Sequence, residues 1–394
     1  MTEDSVCTAI DAIATRLMEI NDWMYQNPEI GFEERGAAKR LSDLLEEEGF
    51  EVERGVAGME TAFVGTYSGG RPGPTIGIFA EYDALPHIGQ ACGRNIIGCS
   101  AVGAAIALRR AWPELPGTVK LFGSPAEEGG GGKVVMVETG LLGGVDAAMM
   151  IHASNANRVY CNNLSVQRAE ITFHGRTAQP AGSAHEGVSA LEAAILTWTN
   201  INAIRQYLPP DFYVHGIMKE GGFAGNVIPD KSALVLYTRA PRGRDVDYLY
   251  GRVEDCARAA ALTVGAQLEA KQRGKRYLRV ITNPTMACLM ADKYKVLGLD
   301  VQGPGPRPRA STDMGNVSQV VPSVHGYIKI GDPTQIGNTH SPEFAPQTIT
   351  PEAHQALLNA AKAMAMTTAD LLETPEILAR AKVEFQTQMR DENA

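Results

Sequence analysis

Val119-Lys120-Leu121-Phe122-Gly123 runs directly into Ser124-Pro125-Ala126-Glu127-Glu128 and then into four glycines, Gly129 to Gly132. The apolar run reads as a strand, and Pro125 with the glycine run reads as the loop that ends it. Two adjacent carboxylates therefore stand just past the carboxyl end of a strand. Such a pair can divide the work of a metal hydrolase, one carboxylate binding the cation while the other moves protons for the attacking water. Taken alone, the dipeptide is equally a polar strand end before a flexible turn, so the flanking chain has to decide.

Working outward, Ile10, Ile13, Leu17 and Ile20 recur at helical spacing and predict one opening helix, broken at Asn27-Pro28. A second helix carries Ala38, Leu41 and Leu45 on one face. Val64 to Tyr67 and Thr75 to Ala80 read as strands, the second ending in Glu81-Tyr82-Asp83-Ala84-Leu85-Pro86. A glycine-punctuated loop then carries Gln90-Ala91-Cys92-Gly93-Arg94-Asn95, and Ala101 to Trp112 reads as a helix of small residues. After the acidic pair come a short helix, Lys133 to Thr139, and a buried strand, Ala147 to Ile151, ending at His152. Apolar strands alternating with helices indicate a largely parallel sheet covered on both faces, whose ligand crevice lies at the carboxyl ends of the strands.

From Leu164 the pattern changes. Ser165 to Phe173, Asp211 to Met218 and Ser232 to Arg239 read as strands, and Gly187 to Tyr207 and Val246 to Leu262 as long helices. Near Asn283-Pro284 the chain returns to the first half, with a strand at Val324 to Ile330 and a helix at Pro351 to Thr368. The expected fold is α/β: residues 1–164 plus 284–394 form a mainly parallel sheet flanked by helices, and residues 165–283 form an inserted α+β domain.

Composition narrows the class. The 394 residues carry a formal charge of −9, which argues against a nucleic-acid or membrane-surface partner. No apolar run approaches the roughly 18 residues of a membrane span, and the acidic start, Met-Thr-Glu-Asp-Ser, does not read as a signal peptide. Cys7, Cys92, Cys99, Cys161, Cys256 and Cys288 show no CxxC spacing, so a reduced, cytoplasmic protein is expected.

Cys92, Glu128, His152 and His340 offer one thiolate, one carboxylate and two imidazoles, a mixture suited to zinc or manganese. Each alone has an ordinary structural reading. Together they fall on loops at one edge of one expected sheet, and that convergence favours the metal.

Ala80 to Pro86, Cys92-Gly93, Pro125 to Gly129, Met150-Ile151-His152 and Ser311-Thr312-Asp313-Met314-Gly315-Asn316 resemble metallopeptidase family 20, more narrowly its aminobenzoyl-glutamate and auxin-conjugate amidohydrolase branch. The resemblance implies a two-domain metallohydrolase with Glu127 as general base and with Cys92, Glu128, His152 and His340 as metal ligands. It also implies that the inserted domain is a lid and dimerisation domain, giving a homodimer or larger homo-oligomer. Its His215, ahead of Gly221-Gly222-Phe223-Ala224-Gly225-Asn226, would serve the partner's active site.

Three departures matter. The branch has histidines where this chain has Gln90 and Arg94, and a further lid histidine is matched by Gln179. A guanidinium stays protonated and has no lone pair for a metal. One metal per active site is therefore the expectation, with His87 as a possible substitute ligand. Arg94, Gln90 and Asn226 are expected to contact substrate.

The branch includes a 5-nitroanthranilate aminohydrolase, and the sharpest expectation is that reaction: a water activated by the metal and Glu127 replaces a ring amine, releasing ammonia. The alternative is an amidohydrolase or dipeptidase acting on an acyl- or aminobenzoyl-amino acid. An inactive binding or scaffold homologue is the remaining reading.

Overall fold

The structure is a computed structural model that describes residues 2–304, 310–334 and 336–393. Ten strands follow in chain order among the described residues: β1 Glu51–Arg54, β2 Phe63–Ser68, β3 Arg71–Glu81, β4 Pro116–Ser124, β5 Ala147–Ser154, β6 Ser165–His174, β7 Tyr213–Glu220, β8 Lys231–Ala240, β9 Gln267–Tyr277 and β10 Ser323–Lys329. The chain forms two compact units. The first holds everything through Asn162 and, after an excursion, Val280 onward; the second holds Asn163–Arg279 and takes back Ala310 and Ser311.

The first unit is built on a six-stranded sheet in the order β1-β2-β4-β3-β5-β10. β4, β3, β5 and β10 run parallel, while β1 and β2 add an antiparallel edge. Alternate residues of β5 feed two different cores: Ala147, Met149 and Ile151 join Ile76, Ile78 and Leu121, whereas Ala148 and Met150 join Phe79 and Phe122. The near-continuous apolar strands follow from this burial on both faces. Glu81 at the end of β3 pairs in register with Ser124 at the end of β4, so the Cys92 loop and the acidic turn leave the sheet side by side.

Between β3 and β4 runs the helix Arg94–Ala111, buried along nearly its whole length. Its small residues are a packing requirement: a Cβ at Gly98 would fall 2.7 Å from the Glu81 carbonyl oxygen. This helix begins well before the expected Ala101, because Gly93 at φ +73° turns the chain directly into it. The expected single opening helix is two, Glu3–Asp11 and Ala14–Gln26; the apolar spacing survives the break, and Ile10, Ile13, Leu17 and Ile20 are all buried. β5 continues to Ser154, which places His152 inside the strand and not at its end. A last helix, Pro375–Asn393, was outside the sequence expectation.

The second unit is a four-stranded antiparallel sheet in the order β7-β8-β6-β9, packed on the helices Ala190–Arg205 and Gly243–Val264. Ala169, Ile171, Phe173, Leu234, Leu236, Leu249 and Val253 form its core. The three expected strands are neighbours in one sheet, and β9 joins them as a fourth strand the sequence reading did not include.

Candidate metal centre

Three chain segments are tied together at the carboxyl end of the first sheet. The His340 N–H donates to the Ala91 carbonyl at 2.8 Å, pinning its loop to that of Cys92. Within the Cys92 loop, Gln90 Oε1 accepts the Asn95 N–H at 3.2 Å, at the start of the long helix. The acidic turn is closed by Gly130 and Gly131, whose N–H groups donate to the Ala126 carbonyl, and the Glu128 N–H donates to Asp83 Oδ2 at 3.0 Å.

Cys92 Sγ, a carboxylate oxygen of Glu128 and a ring nitrogen of His340 all lie within 4.8 Å of one another. His340 Nε2 is 3.0 Å from Glu128 Oε1. His152 joins through Cys92: its Nε2 lies 3.4 Å from Sγ. Its Nδ1 lies 2.6 Å from the Ala153 carbonyl and donates to it, fixing the tautomer that leaves the Nε2 lone pair facing Cys92. The four residues proposed from sequence as ligands are therefore brought to one place. His87 is exposed and belongs to no potential metal group among the described residues.

Arg94 lies in the middle of the acidic residues, its side chain 2% exposed. Its Nε faces Glu81 Oε2 at 3.1 Å and Asp83 Oδ1 at 3.3 Å, its Nη1 donates to Glu128 Oε1 at 2.8 Å, and its Nη2 donates to Glu127. Beyond it Lys133 Nζ reaches Glu81 Oε1 at 2.6 Å and Asp313 Oδ1 at 2.7 Å. Glu81, Glu127 and Asp313 form a second convergent acidic group, with Arg94 and Lys133 as its fixed cations.

The charges explain the arrangement. Glu81, Asp83, Glu127, Glu128 and Asp313 crowd around two fixed cations, Arg94 and Lys133, and such a concentration of carboxyl oxygens suits a divalent cation. Burial works against the Glu128 charge, but Arg94 and His340 hold its carboxyl below the usual range. Glu81, buried yet braced by Lys133 and Arg94, is held to about 2. Hydrogen bonds to Cys92 and Glu128 push His340 up to about 10. A proton and a metal would therefore compete for that ring. Burial lowers His152, which keeps it neutral, and raises the Cys92 thiol.

The remaining sequence candidates lie in the second unit. His215 on β7 stacks on Tyr237 with ring centroids 5.4 Å apart and accepts the Arg239 Nε–H at 3.0 Å. Asn226 and Gln179 are exposed. The sequence reading gave no role to Glu81, Asp83, Lys133 and Asp313, although each stands in or beside a quoted motif. It also passed over His325, buried beside His152 with ring centroids 5.9 Å apart. For Glu81 and Asp83 the available signal was an acidic residue at or just past a strand end.

A thiol, imidazoles and a divided acidic pair at the open end of a parallel sheet define a metal-dependent hydrolase of carbon–nitrogen bonds. The chain belongs to peptidase family M20/M25/M40, whose sequence profile matches residues 78–366. It is similar to the Xaa-Arg dipeptidase of Mus musculus, 35% identical over 97% of this chain and 92% of that protein. It is also similar to a p-aminobenzoyl-glutamate hydrolase polypeptide of Escherichia coli strain K12, 34% identical over 67% of this chain and 59% of that one. Among solved structures, a Bacillus subtilis protein described as a dinuclear metal-binding peptidase of the M20 family superposes with a TM-score of 0.70 at 25% identity, covering 92% of this chain and 99% of that chain. Within the family this chain stands with the amidohydrolases and dipeptidases.

Proposed function

We propose that the protein hydrolyses the amide bond of a dipeptide or of an acyl- or aminobenzoyl-amino acid, using one manganese or zinc ion per active site. One observation carries this reading: the acidic pair is split, with Glu128 turned to Cys92 and His340, and with Arg94 spanning Glu128 and Glu127 where a second cation would otherwise be needed. Cys92, Glu128, His340 and His152 would hold the ion, which supplies Lewis-acid activation of water when bound.

Glu127 moves the proton. Burial and the neighbouring Glu81, Asp313 and Glu128 push its carboxyl well above the usual range against the pull of Arg94. It can therefore keep a proton taken from the attacking water and return it to the departing amine nitrogen. Arg94 serves as a fixed counter-ion for both carboxylates, since its nitrogens are engaged by Glu81, Asp83, Glu127 and Glu128 and not held free for a substrate oxygen. Gln90 shapes the Cys92 loop, and Asn226 stays the substrate-contact candidate of the second unit.

A second reading, deamination of 5-nitroanthranilate, is favoured by an aromatic surface beside the acidic turn. Phe32 is 42% exposed, and its ring lies so close to Gly130 that a Cβ there would fall 2.7 Å from it. The two readings separate in one assay of metal-loaded protein. Amino acid released from aminobenzoyl-glutamate or a dipeptide is expected; ammonium released from 5-nitroanthranilate, with no amide cleaved, would install the second.

The second unit is proposed to pair with a second copy. β7 is an edge strand that exposes Tyr213, Ile217 and Met218. His215 would then serve the partner's active site as a neutral donor, a state supported by burial and by Arg239, which lower its pKa. A cytoplasmic location is proposed from the six free cysteines. No helix among the described residues is long and apolar enough to cross a membrane.

A further inference from the structure

We infer that Glu34 is a positioning residue that holds the Glu127–Glu128 turn through a single backbone N–H. The inference rests on the role proposed above for that turn. Glu34 precedes the helix Arg35–Glu47, is completely buried, and reaches across 92 positions of sequence to accept the Ala126 N–H on Oε1 at 2.8 Å. Its other oxygen accepts the Thr61 hydroxyl at 2.9 Å, and the Thr61 carbonyl in turn accepts the Tyr82 hydroxyl at 2.6 Å.

Ala126 needs such a hold. It sits at φ +55°, in the left-handed region where the Cβ of a non-glycine residue is strained. The strained residue is immediately followed by the two carboxylates, so its orientation decides where they point. The turn is pinned at two backbone donors: Ala126 N–H on Glu34 and Glu128 N–H on Asp83. The loop that delivers Glu34 also touches the turn at Gly31, where a Cβ would fall 2.9 Å from the Ala126 Cβ.

The cost of this carboxyl argues for its purpose. Glu81 and Glu127 are buried against guanidinium or ammonium groups, whereas Glu34 meets neutral donors and the Asp83 charge. Burial accordingly pushes it up to about 7. An apolar residue there would be cheaper to bury but would leave the Ala126 N–H without its acceptor.

The test compares Glu34→Ala with Glu34→Gln, whose amide oxygen can still accept the Ala126 N–H. Manganese and zinc affinity is measured by competition with a chromophoric chelator, and hydrolysis by separate kcat and KM. We expect Glu34→Ala to weaken metal binding and lower kcat by about 10–100-fold each, with KM within about threefold, and Glu34→Gln to restore both. A folded Glu34→Ala protein with unchanged metal affinity overturns the inference, as does a Glu34→Gln variant equally impaired. Should Glu34→Ala fail to fold, Gly31→Ala displaces the same turn by its added methyl; loss of metal affinity there supports the inference and wild-type affinity overturns it. The affinity arm decides even if no amide is cleaved, so failure of the proposed reaction is distinguishable from failure of the positioning role.

Discussion

Arg94 bridges the two members of the acidic pair, its Nη1 donating to Glu128 Oε1 at 2.8 Å and its Nη2 to Glu127. The guanidinium supplies positive charge but no lone pair, so it neutralises the carboxylates without sharing a metal with them. The wild-type protein is expected to bind one metal ion per chain. Arg94→His removes the cation and offers an imidazole, and elemental analysis of the dialysed variant is expected to find two. An unchanged ratio would show that the guanidinium is not what excludes the second ion.

Glu127→Gln keeps the size of the side chain but cannot carry a proton. Turnover is expected to fall by about 10²–10⁴-fold, while metal content and the thermal melt stay near wild type. A variant that retains most of its kcat would remove Glu127 from the chemistry.

Cys92 is the buried thiol of the centre, and burial raises its pKa against the pull of Arg94. A bound metal requires the thiolate and covers it. Site-resolved mass spectrometry should therefore find Cys92 alkylated faster in the chelator-treated protein than in the loaded one. Equal rates would take Cys92 out of the ligand set.

Lys133 holds Glu81 and Asp313 together in a pocket that none of the three shares with solvent. Lys133→Met strands the buried Asp313 carboxylate and leaves Glu81 with Arg94 alone, a loss expected to cost about 3–5 kcal/mol, visible as a lowered melting temperature. Adding Asp313→Asn removes the stranded charge and should recover part of the loss. A double variant no better than the single one would mean that geometry, not charge, is what Lys133 provides.

Glu34 sets a pH dependence of stability. Its carboxyl is raised from 4.5 to about 7 by burial, so the folded state favours the protonated form. That preference is fully present below pH 4.5 and is lost as pH rises through 7, removing up to about 3 kcal/mol. Glu34→Gln cannot ionise. Its melting temperature relative to wild type is expected to climb between pH 5 and pH 8; a constant difference would mean that Glu34 stays charged throughout.

What could be read beforehand was whatever left a periodic or motif-like trace. The strands around Ile78, Leu121 and Met149 were legible because burial on both faces demands unbroken apolar runs. The convergence of Cys92, Glu128, His152 and His340 was legible because parallel strands bring their carboxyl ends to one edge. Elements with charged or mixed sequences were not: β9 reads Gln-Leu-Glu-Ala-Lys-Gln-Arg-Gly-Lys-Arg-Tyr, and the last helix buries only Leu378, Ala381 and Glu392. Arg94 could be recognised as a departure, but its four carboxylate partners come from two strand ends and could be counted only in three dimensions. Lys133 gave no signal at all, since a lysine at the start of a helix ordinarily faces water.

The excursion through Asn163–Arg279 separates His152 from His340 in the chain, although both rings lie beside Cys92. A nascent polypeptide would expose Cys92, Glu128 and His152 long before His340 leaves the ribosome. Until then the proposed cation site would lack one of its four ligands. The proposed ligand set would thus be completed only after the second unit has been made, when the His340 loop docks on Ala91.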